Sequence, residues 1–252
     1  MFQGRSGFVR TTLAAAAGAS CLVLAACGGS TTSGGGAAPS ASSTVDPLAS
    51  LTATQVSAKA VADAEAAPSL TFKGSVVQSG QPLTLDLAIK PGHGCTGTID
   101  EGSKGSLKLI VIGKTVYMNP DAAFWKANGG ADGAAASALI DGRYLETSTS
   151  DTQMGSLATL CDVKQLFSSD DSTHPVAREA VTTLNGTRVL PIKISDGSID
   201  YVTDTSKPEF VEGYAPKGSK AGAGTITVSV GAPVTLTAPP ASQVIEGSKL
   251  GL

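Results

Sequence analysis

Two runs of alternating apolar and polar residues, separated by a short turn, constrain the fold of this chain more than any other feature. Their apolar positions are Leu70, Phe72, Gly74 and Val76, then Leu83, Leu85, Leu87 and Ile89. Successive side chains of a β-strand point to opposite faces, so an alternation of period two predicts two strands that each bury one face. The connecting sequence is Gln78-Ser79-Gly80-Gln81. A short glycine-containing loop between two such runs predicts an antiparallel hairpin with one solvated face.

Further strand patterns occupy much of the remaining chain. We predict them at 95–99, 107–112, 115–118, 142–146, 189–194, 198–203 and 222–236. Ser195-Asp196-Gly197 is a turn sequence, which predicts a second hairpin around it. Pro233 cannot donate to a neighbouring strand, so we expect a bend or a sheet edge there. The total is roughly nine to ten strands in one domain, with helices packed against them, which is an α+β class.

Helical patterns are predicted at 54–67, 122–127, 134–139, 150–166 and 176–181. Thr52 or Thr54 can cap the first of these helices, and Pro68 ends it. The helix that begins after Ser150 has the clearest apolar stripe, because its apolar residues recur at intervals of three and four: Met154, Leu157, Leu160, Cys161, Val163 and Leu166. We expect this amphipathic helix to lie across the sheet.

The first 26 residues have the features of a lipoprotein signal peptide. Arg5 and Arg10 precede an apolar run, and Leu24-Ala25-Ala26 comes directly before Cys27. The run is too short to cross a bilayer as a helix. We therefore predict that residues 1–26 are removed and that the Cys27 thiol carries a diacylglycerol. The alternative is a cytoplasmic protein with an apolar N-terminus.

Residues 27–50 are rich in Gly, Ser, Thr and Ala and predict a flexible tether, which leaves 51–252 as the folded domain. A lipid at Cys27 would hold this domain at the extracytoplasmic face of the cell membrane. The whole chain carries a net charge of −3, and loss of Arg5 and Arg10 makes it more acidic. Nucleic acid is a poor partner for an acidic domain. The sequence does not identify a protein partner.

Two cysteines remain for other roles, because Cys21 leaves with the signal peptide and Cys27 is lipidated. In an oxidising compartment Cys95 and Cys161 most simply form one disulfide. Such a bond requires the amphipathic helix to place Cys161 over the end of the strand that contains Cys95. The alternative is two buried free thiols that pack as small hydrophobic side chains.

The sequence gives little support for catalysis, a metal or a cofactor. His93 and His174 are its two histidines, and a His93-x-Cys95 pair without further ligands is weak support for zinc. Gly113-Lys114-Thr115 ends like a phosphate-binding loop, but Lys108 stands where that motif needs its first glycine. The loop containing Asp170, Asp171 and His174 has the composition of a solvated surface. We expect no catalytic residue, no metal and no cofactor.

Several longer motifs resemble those of a known family. They are Gly-Ser-Val-Val at 74–77, Leu-Thr-Leu-Asp-Leu at 83–87, Thr-Gly-Thr-Ile-Asp at 96–100, the run at 107–119, Ala-Phe-Trp at 123–125, and Leu-Asn-Gly-Thr-Arg-Val-Leu-Pro-Ile-Lys at 184–193. With the preceding lipidated tether and helix, the chain resembles actinobacterial lipoproteins of the LppX/LprG group, which have a LolA-like fold. The resemblance covers roughly 52–245. The pair Cys95 and Cys161 departs from the better-known members.

The resemblance implies a strongly curved antiparallel half-barrel with helices on its concave face. Between them it implies an apolar cavity for the acyl chains of a lipid or glycolipid, lined by Leu83, Leu85, Leu87, Ile89, Leu107, Leu109, Val111, Trp125, Leu157, Ile226, Val228 and Val230. Aromatic residues make up only 4% of the chain, which permits an unfilled cavity. A lone tryptophan such as Trp125 is nevertheless a common core residue. The alternative to a lipid carrier is a scaffold lipoprotein with a filled core that acts through its surface.

Overall fold

The computed structural model describes residues 46–78, 80–151, 155–167, 174–218 and 222–247. The predicted signal peptide, Cys27 and the tether up to residue 45 lie outside these residues. So do Met154 of the amphipathic segment and the pair Asp170 and Asp171.

The described residues contain thirteen strands in one large, curved sheet that does not close. The strands are β1 (Leu70–Gln78), β2 (Gln81–Lys90), β3 (Gly94–Asp100), β4 (Ser106–Ile112), β5 (Thr115–Pro120), β6 (Tyr144–Ser148), β7 (Pro175–Arg178), β8 (Thr182–Leu184), β9 (Thr187–Ile194), β10 (Ile199–Thr203), β11 (Phe210–Ala215), β12 (Ala223–Val230) and β13 (Val244–Glu246). Their order is β13-β6-β5-β4-β3-β2-β1-β12-β11-β10-β9-β7, and β8 also pairs with β9. Both predicted hairpins and the predicted α+β class are confirmed.

The pairing is antiparallel throughout, apart from the parallel pair β13 and β6. The register places Phe72 of β1 opposite Leu87 of β2 and Val228 of β12. Farther across the sheet, Leu109 lies opposite Gly97 and Met118. The apolar residues of the alternating runs therefore share one face, which we call the inner face.

Glycines at two inner-face positions allow neighbouring strands to approach closely. A Cβ atom on Gly97 would lie 2.0 Å from the backbone oxygen of Asp86, and a Cβ on Gly74 would lie 2.1 Å from that of Thr225. No side chain fits at such distances without a backbone shift. Glycines inside strands commonly mark sharp bends, so these two residues help to give the sheet its curvature.

Four short helices accompany the sheet: α1 (Ala53–Glu65), α2 (Ala122–Asn128), α3 (Gly133–Ile140) and α4 (Val163–Leu166). The predicted cap of α1 is confirmed, since the Thr52 hydroxyl accepts from the N–H of Gln55 and the Gln55 side chain accepts from the N–H of Thr52. Helix α1 buries small residues, including Val56, Ala60 and Ala64, and contacts β7, β9 and α4.

The folded unit begins earlier than the predicted tether boundary at residue 50. The side chain of Leu48 is 1% exposed and belongs to the core. Asp46 forms an ion pair with Arg178 at 2.6 Å, and the same guanidinium donates to the backbone oxygens of Leu48 and Leu51. Residues 46–50 are thus part of the folded domain, because β7 supplies the cation that binds them.

Two predicted helices were wrong in form. In place of one helix over 150–166, the described part contains a 3₁₀ segment at Gly155–Cys161 followed by the single turn α4. Asp162 has an extended backbone, and its carboxylate accepts from the N–H groups of Lys164 and Gln165, which starts a new helix. The segment predicted as a helix at 176–181 begins as strand β7, because pairing with β9 outweighs the weak local preference of a short segment.

The C-terminal strands also differ from the prediction. Strand β12 ends at Val230 rather than at 236, because Gly231 follows with φ +88° and its N–H donates to the backbone oxygen of Ser69. The short strands β8 and β13 were not predicted. Strand β13 forms the sheet edge beside β6, so it depends on a contact that is distant in sequence.

The predicted disulfide between Cys95 and Cys161 is confirmed, with the two Cα atoms 5.1 Å apart. It joins β3 to the end of the 3₁₀ segment, and that segment packs on β2 and β3. Both cysteines are buried. The covering segment is therefore attached covalently to the inner face of the sheet.

Replacing both cysteines with alanine should lower the free energy of unfolding by up to roughly 4 kcal/mol, because the bond closes a loop with a sequence separation of 66. Denaturant unfolding of the oxidised protein, the reduced protein and the double variant measures this difference. The reduced wild type is the control for the loss of buried side-chain volume in the double variant, since it lacks the bond but retains both sulfur atoms. Two free thiols in protein isolated from an oxidising compartment, shown by intact mass after alkylation, would contradict the assignment.

Candidate functional site

The twelve residues predicted to line a cavity all lie in the apolar core or pack against it. Seven of them are buried: Leu87, Ile89, Leu107, Leu109, Val111, Trp125 and Val228. The other five are only partly buried: Leu83, Leu85, Leu157, Ile226 and Val230. The structure thus brings the predicted residues together, and it divides them into a closed part and a more open part.

The closed part is filled by the protein's own side chains. Leu87, Ile89 and Cys95 are 0% exposed, and Cys95 forms one half of the disulfide. Next to them Phe167 stacks on Phe210 with ring centroids 3.9 Å apart, and it packs against Phe72 at 5.5 Å. The sequence prediction did not include this phenylalanine cluster. Few aromatic residues are present, but three of them are concentrated where they fill the curved face.

Three of the five partly buried residues lie toward the β1–β2 turn and make up the open part, whereas Val230 lies opposite Leu70 at the other end of β1 and Leu157 lies on the covering segment. Leu83 and Leu85 of β2 and Ile226 of β12 face inward by register, yet all three retain partial exposure. Ile226 lies opposite Gly74 on one side and Gly213 of β11 on the other. The residues beside Ile226 on both neighbouring strands therefore have no side chain.

Gly213 has few neighbours on the inner side of the sheet among the described residues. Apart from residues 212 and 214, the described atom within 4 Å of a Cβ at this position would be the Oδ1 of Asp200, at 3.5 Å. A Cβ in a close-packed core normally has several neighbours at this range. We call the space above Gly213, bounded by Ile226 and Asp200 and continuing toward Leu85, the inner-face trough.

Asp200 places a carboxylate at one end of the trough. It lies on β10 opposite both Gly213 and Ile192, and Ile192 is 1% exposed. Burial and the nearby charge of Asp196 raise the pKa of the Asp200 carboxyl to about 6. No side chain in the described part of the protein donates a hydrogen bond to it or forms an ion pair with it. The trough therefore combines apolar walls with an acid that no described basic side chain neutralises.

Sequence reasoning missed Asp200, although a signal for it was present. Val202 is an apolar residue of the predicted strand at 198–203, and period two places residue 200 on the same face. A carboxylate on the buried face of a strand is unusual. The predicted lining consists of apolar residues alone, so it does not contain Asp200.

Two further depressions lie elsewhere on the surface. One, of about 500 Å³, adjoins the disulfide, and its lining includes Val111, Cys161, Glu65 and Lys164. Of the twelve predicted cavity residues, Val111 alone lines it. The other, of about 580 Å³, is lined mainly by polar groups of β5, β6 and the residues around them. The first depression thus has a largely apolar lining with charged side chains at its rim, whereas the second is polar.

The described residues offer no cluster of three or more His, Cys, Asp and Glu side chains placed to hold a metal ion. Because Cys95 is bonded to Cys161, Cys95 has no thiolate that could bind a metal ion together with His93. Within the same part of the chain, none of the helices has the length and apolar character needed to span a membrane.

Comparison with known proteins gives structural neighbours only. No family model matches the chain, and no curated protein sequence matches it. The structure is similar to that of LprF from Mycobacterium bovis, with 15% identity over 74% of this chain and 96% of LprF, at a TM-score of 0.44. It is also similar to an uncharacterised conserved protein from Thermus thermophilus, with 10% identity over 77% of this chain and 98% of that one, at a TM-score of 0.40.

A DUF1329 family protein from Desulfovibrio piger is more distant, with 12% identity over 73% of this chain and 92% of that protein, at a TM-score of 0.25. At these TM-scores the neighbours carry no argument about family or function. The strand order and register of the chain itself define its fold.

Proposed function

We propose that this protein is a membrane-anchored, extracytoplasmic lipoprotein that binds or carries the acyl chains of a lipid or glycolipid without catalysing a reaction. The observation that supports the proposal is the inner-face trough, where apolar side chains retain exposure and a Cβ on Gly213 would have a single close neighbour among the described residues. Each methylene moved from water into such a place contributes about 0.8 kcal/mol before the costs of association are subtracted.

The closed part of the inner face supports the same assignment. An acyl chain gains from burial only if the walls around it keep their shape, because a collapsed space leaves nothing to fill. The disulfide and the stack of Phe167 on Phe210 fix the covering segments beside the trough. The filled core therefore acts as a rigid frame for the open part.

The proposed anchor places the trough close to its ligands. A lipid on Cys27 would be joined to the folded unit through residues 28–45, since residue 46 is already held by Arg178. The Gly- and Ser-rich sequence of this stretch predicts a tether, and a flexible tether of that length would have a root-mean-square reach of about 25 Å. The domain would stay near the membrane surface without being pressed against it.

We assign no catalytic residue. The imidazole of His93 contacts the backbone oxygen of Pro91 at 2.9 Å, and that contact is to backbone rather than to an acidic side chain. His174 is exposed at the edge of the described structure, and Asp170 and Asp171 lie outside it. The proposal therefore concerns binding alone.

A scaffold lipoprotein with a filled core is the second candidate. It is favoured by the closed part of the inner face, where Leu87, Ile89 and Leu109 are all 0% exposed. Under this alternative the trough takes no ligand, and binding occurs through the outer surface. The ligand experiment below separates the two.

Lipidation should depend on Cys27. When the full chain is produced in a bacterial host supplied with an alkyne-tagged fatty acid, we expect label on the wild type and none on Cys27→Ser, because serine offers no thiol for acylation. Membrane fractionation should move Cys27→Ser to the soluble extracytoplasmic fraction. Equal labelling of the two proteins would contradict the anchor.

Uptake of an acyl chain should be detectable in the full-length Cys27→Ser protein purified without detergent. We expect native mass spectrometry to show a bound fluorescent fatty alcohol. Gly213→Val should weaken this binding at least tenfold, because the added methyl groups occupy the trough. Thr227→Val is the matched control, since Thr227 is exposed on the outer face of β12. If the parent protein takes up no fatty alcohol, the proposal is overturned. It is also overturned if the Gly213→Val variant has the same melting temperature as the parent and binds the fatty alcohol equally well.

A further inference from the structure

We infer that Asp200 makes the inner-face trough selective for amphiphiles whose polar end donates hydrogen bonds and carries no negative charge, with a cationic amine preferred over a hydroxyl and a carboxylate rejected. This inference rests on the proposed function, since it concerns the polar end of the same ligand. It goes beyond that function by naming the headgroup chemistry that the site accepts.

The first step is the position of the carboxylate relative to the apolar walls. Asp200 lies on β10, and Ile226 and Leu85 lie on the inner face of β12 and β2 in the same row across the sheet. The row spans four strand spacings of about 4.8 Å each. An alkyl chain could therefore lie across β12, β1 and β2 while its polar end reaches Asp200. Gly213, which lies between Ile226 and Asp200 in this row, adds no side chain to the path.

The second step is that no cation of the described protein neutralises Asp200. Arg178 is in the same row, opposite Ile192, but its guanidinium is held by Asp46 at 2.6 Å and by two backbone oxygens. The other charge near Asp200 is that of Asp196, which has the same sign. A cationic group on the ligand could therefore pair with the Asp200 carboxylate, because no described basic side chain already does so.

The third step is the cost of leaving this acid unpaired. A carboxylate among apolar side chains loses solvation, and a donor on the ligand would restore it. The raised pKa of Asp200, about 6, reflects this cost, because burial and Asp196 both disfavour the charged form. At neutral pH the group is mostly ionised and attracts a donor or a cation. Below about pH 6 it becomes neutral, and the attraction to a cation falls.

The sign of the effect on stability follows from the same shift. The folded pKa lies above the ordinary aspartate value of 3.8, so the folded state binds more protons than the unfolded state between about pH 4 and 6. The ligand-free protein should therefore become less stable as the pH rises through this window. A ligand that pairs with the carboxylate should stabilise the protein most at neutral pH.

The test compares the affinities of the full-length Cys27→Ser protein for dodecylamine, dodecanol and dodecanoate. Each amphiphile is kept below the concentration at which it forms micelles or a separate phase. At pH 7.5 we expect the amine to bind at least tenfold more tightly than dodecanoate, with dodecanol between them. In Asp200→Asn this preference should shrink to within threefold. Asp86→Asn is the matched control, because it removes one negative charge from the exposed outer face of β2, and it should keep the preference.

A pH series on the unsubstituted site keeps the inference testable if Asp200→Asn folds poorly. Alkylammonium groups stay protonated from pH 7.5 to 5.0, so a several-fold loss of dodecylamine affinity over that range reports on the protein. Binding of all three amphiphiles without preference, or an equal preference in folded Asp200→Asn, would overturn the inference and leave the proposed function standing. Binding of none of them would overturn both.

Discussion

The fold depends on the pairing of β1 with β2 on one side and with β12 on the other. The first pair is local, because a short turn connects its strands, whereas the second joins residue 72 to residue 228. This pairing unites the N-terminal and C-terminal halves in one sheet and aligns Phe72, Leu87 and Val228 on one face. The closed core, the disulfide above it and the trough beside it all lie on that face.

The parts of the fold that were predictable are those encoded by local patterns. The alternation at 70–90 specified the first hairpin, and Thr52 marked the start of α1. The disulfide followed from counting cysteines in an oxidising compartment. In each case the signal lies within a few residues or in a rule about composition.

The remaining features depend on contacts that are distant in sequence. Strand β7 exists because β9 provides a partner, and β13 exists because β6 does. The break in the amphipathic segment arises at Asp162, whose carboxylate caps α4. The division of the inner face into filled and open parts was also hidden, because it requires knowing which residues face Phe167. A list of inward-facing residues therefore identified the right surface but not the part of it that is open.

Asp200 and Gly213 give the open part its chemical character. Gly213 removes a side chain from the inner face, and Asp200 adds a charge where the neighbouring residues are apolar. Neither residue contributes to the core, and an isolated acid is a cost to stability. Such a cost is commonly retained at binding sites, where a ligand offsets it. This contrast with the filled part is the reason to place binding in the trough.

The most direct measurement is a crystal structure of the full-length Cys27→Ser protein with 12-bromododecylamine, in which anomalous scattering locates the bromine at the end of the tail. The account predicts the amine within hydrogen-bonding distance of the Asp200 carboxylate and a bromine peak beside Leu83 or Leu85 on the inner face. A bromine peak beside Val111 and Cys161, in the depression that adjoins the disulfide, would contradict this prediction. So would a bromine peak on the outer face of the sheet.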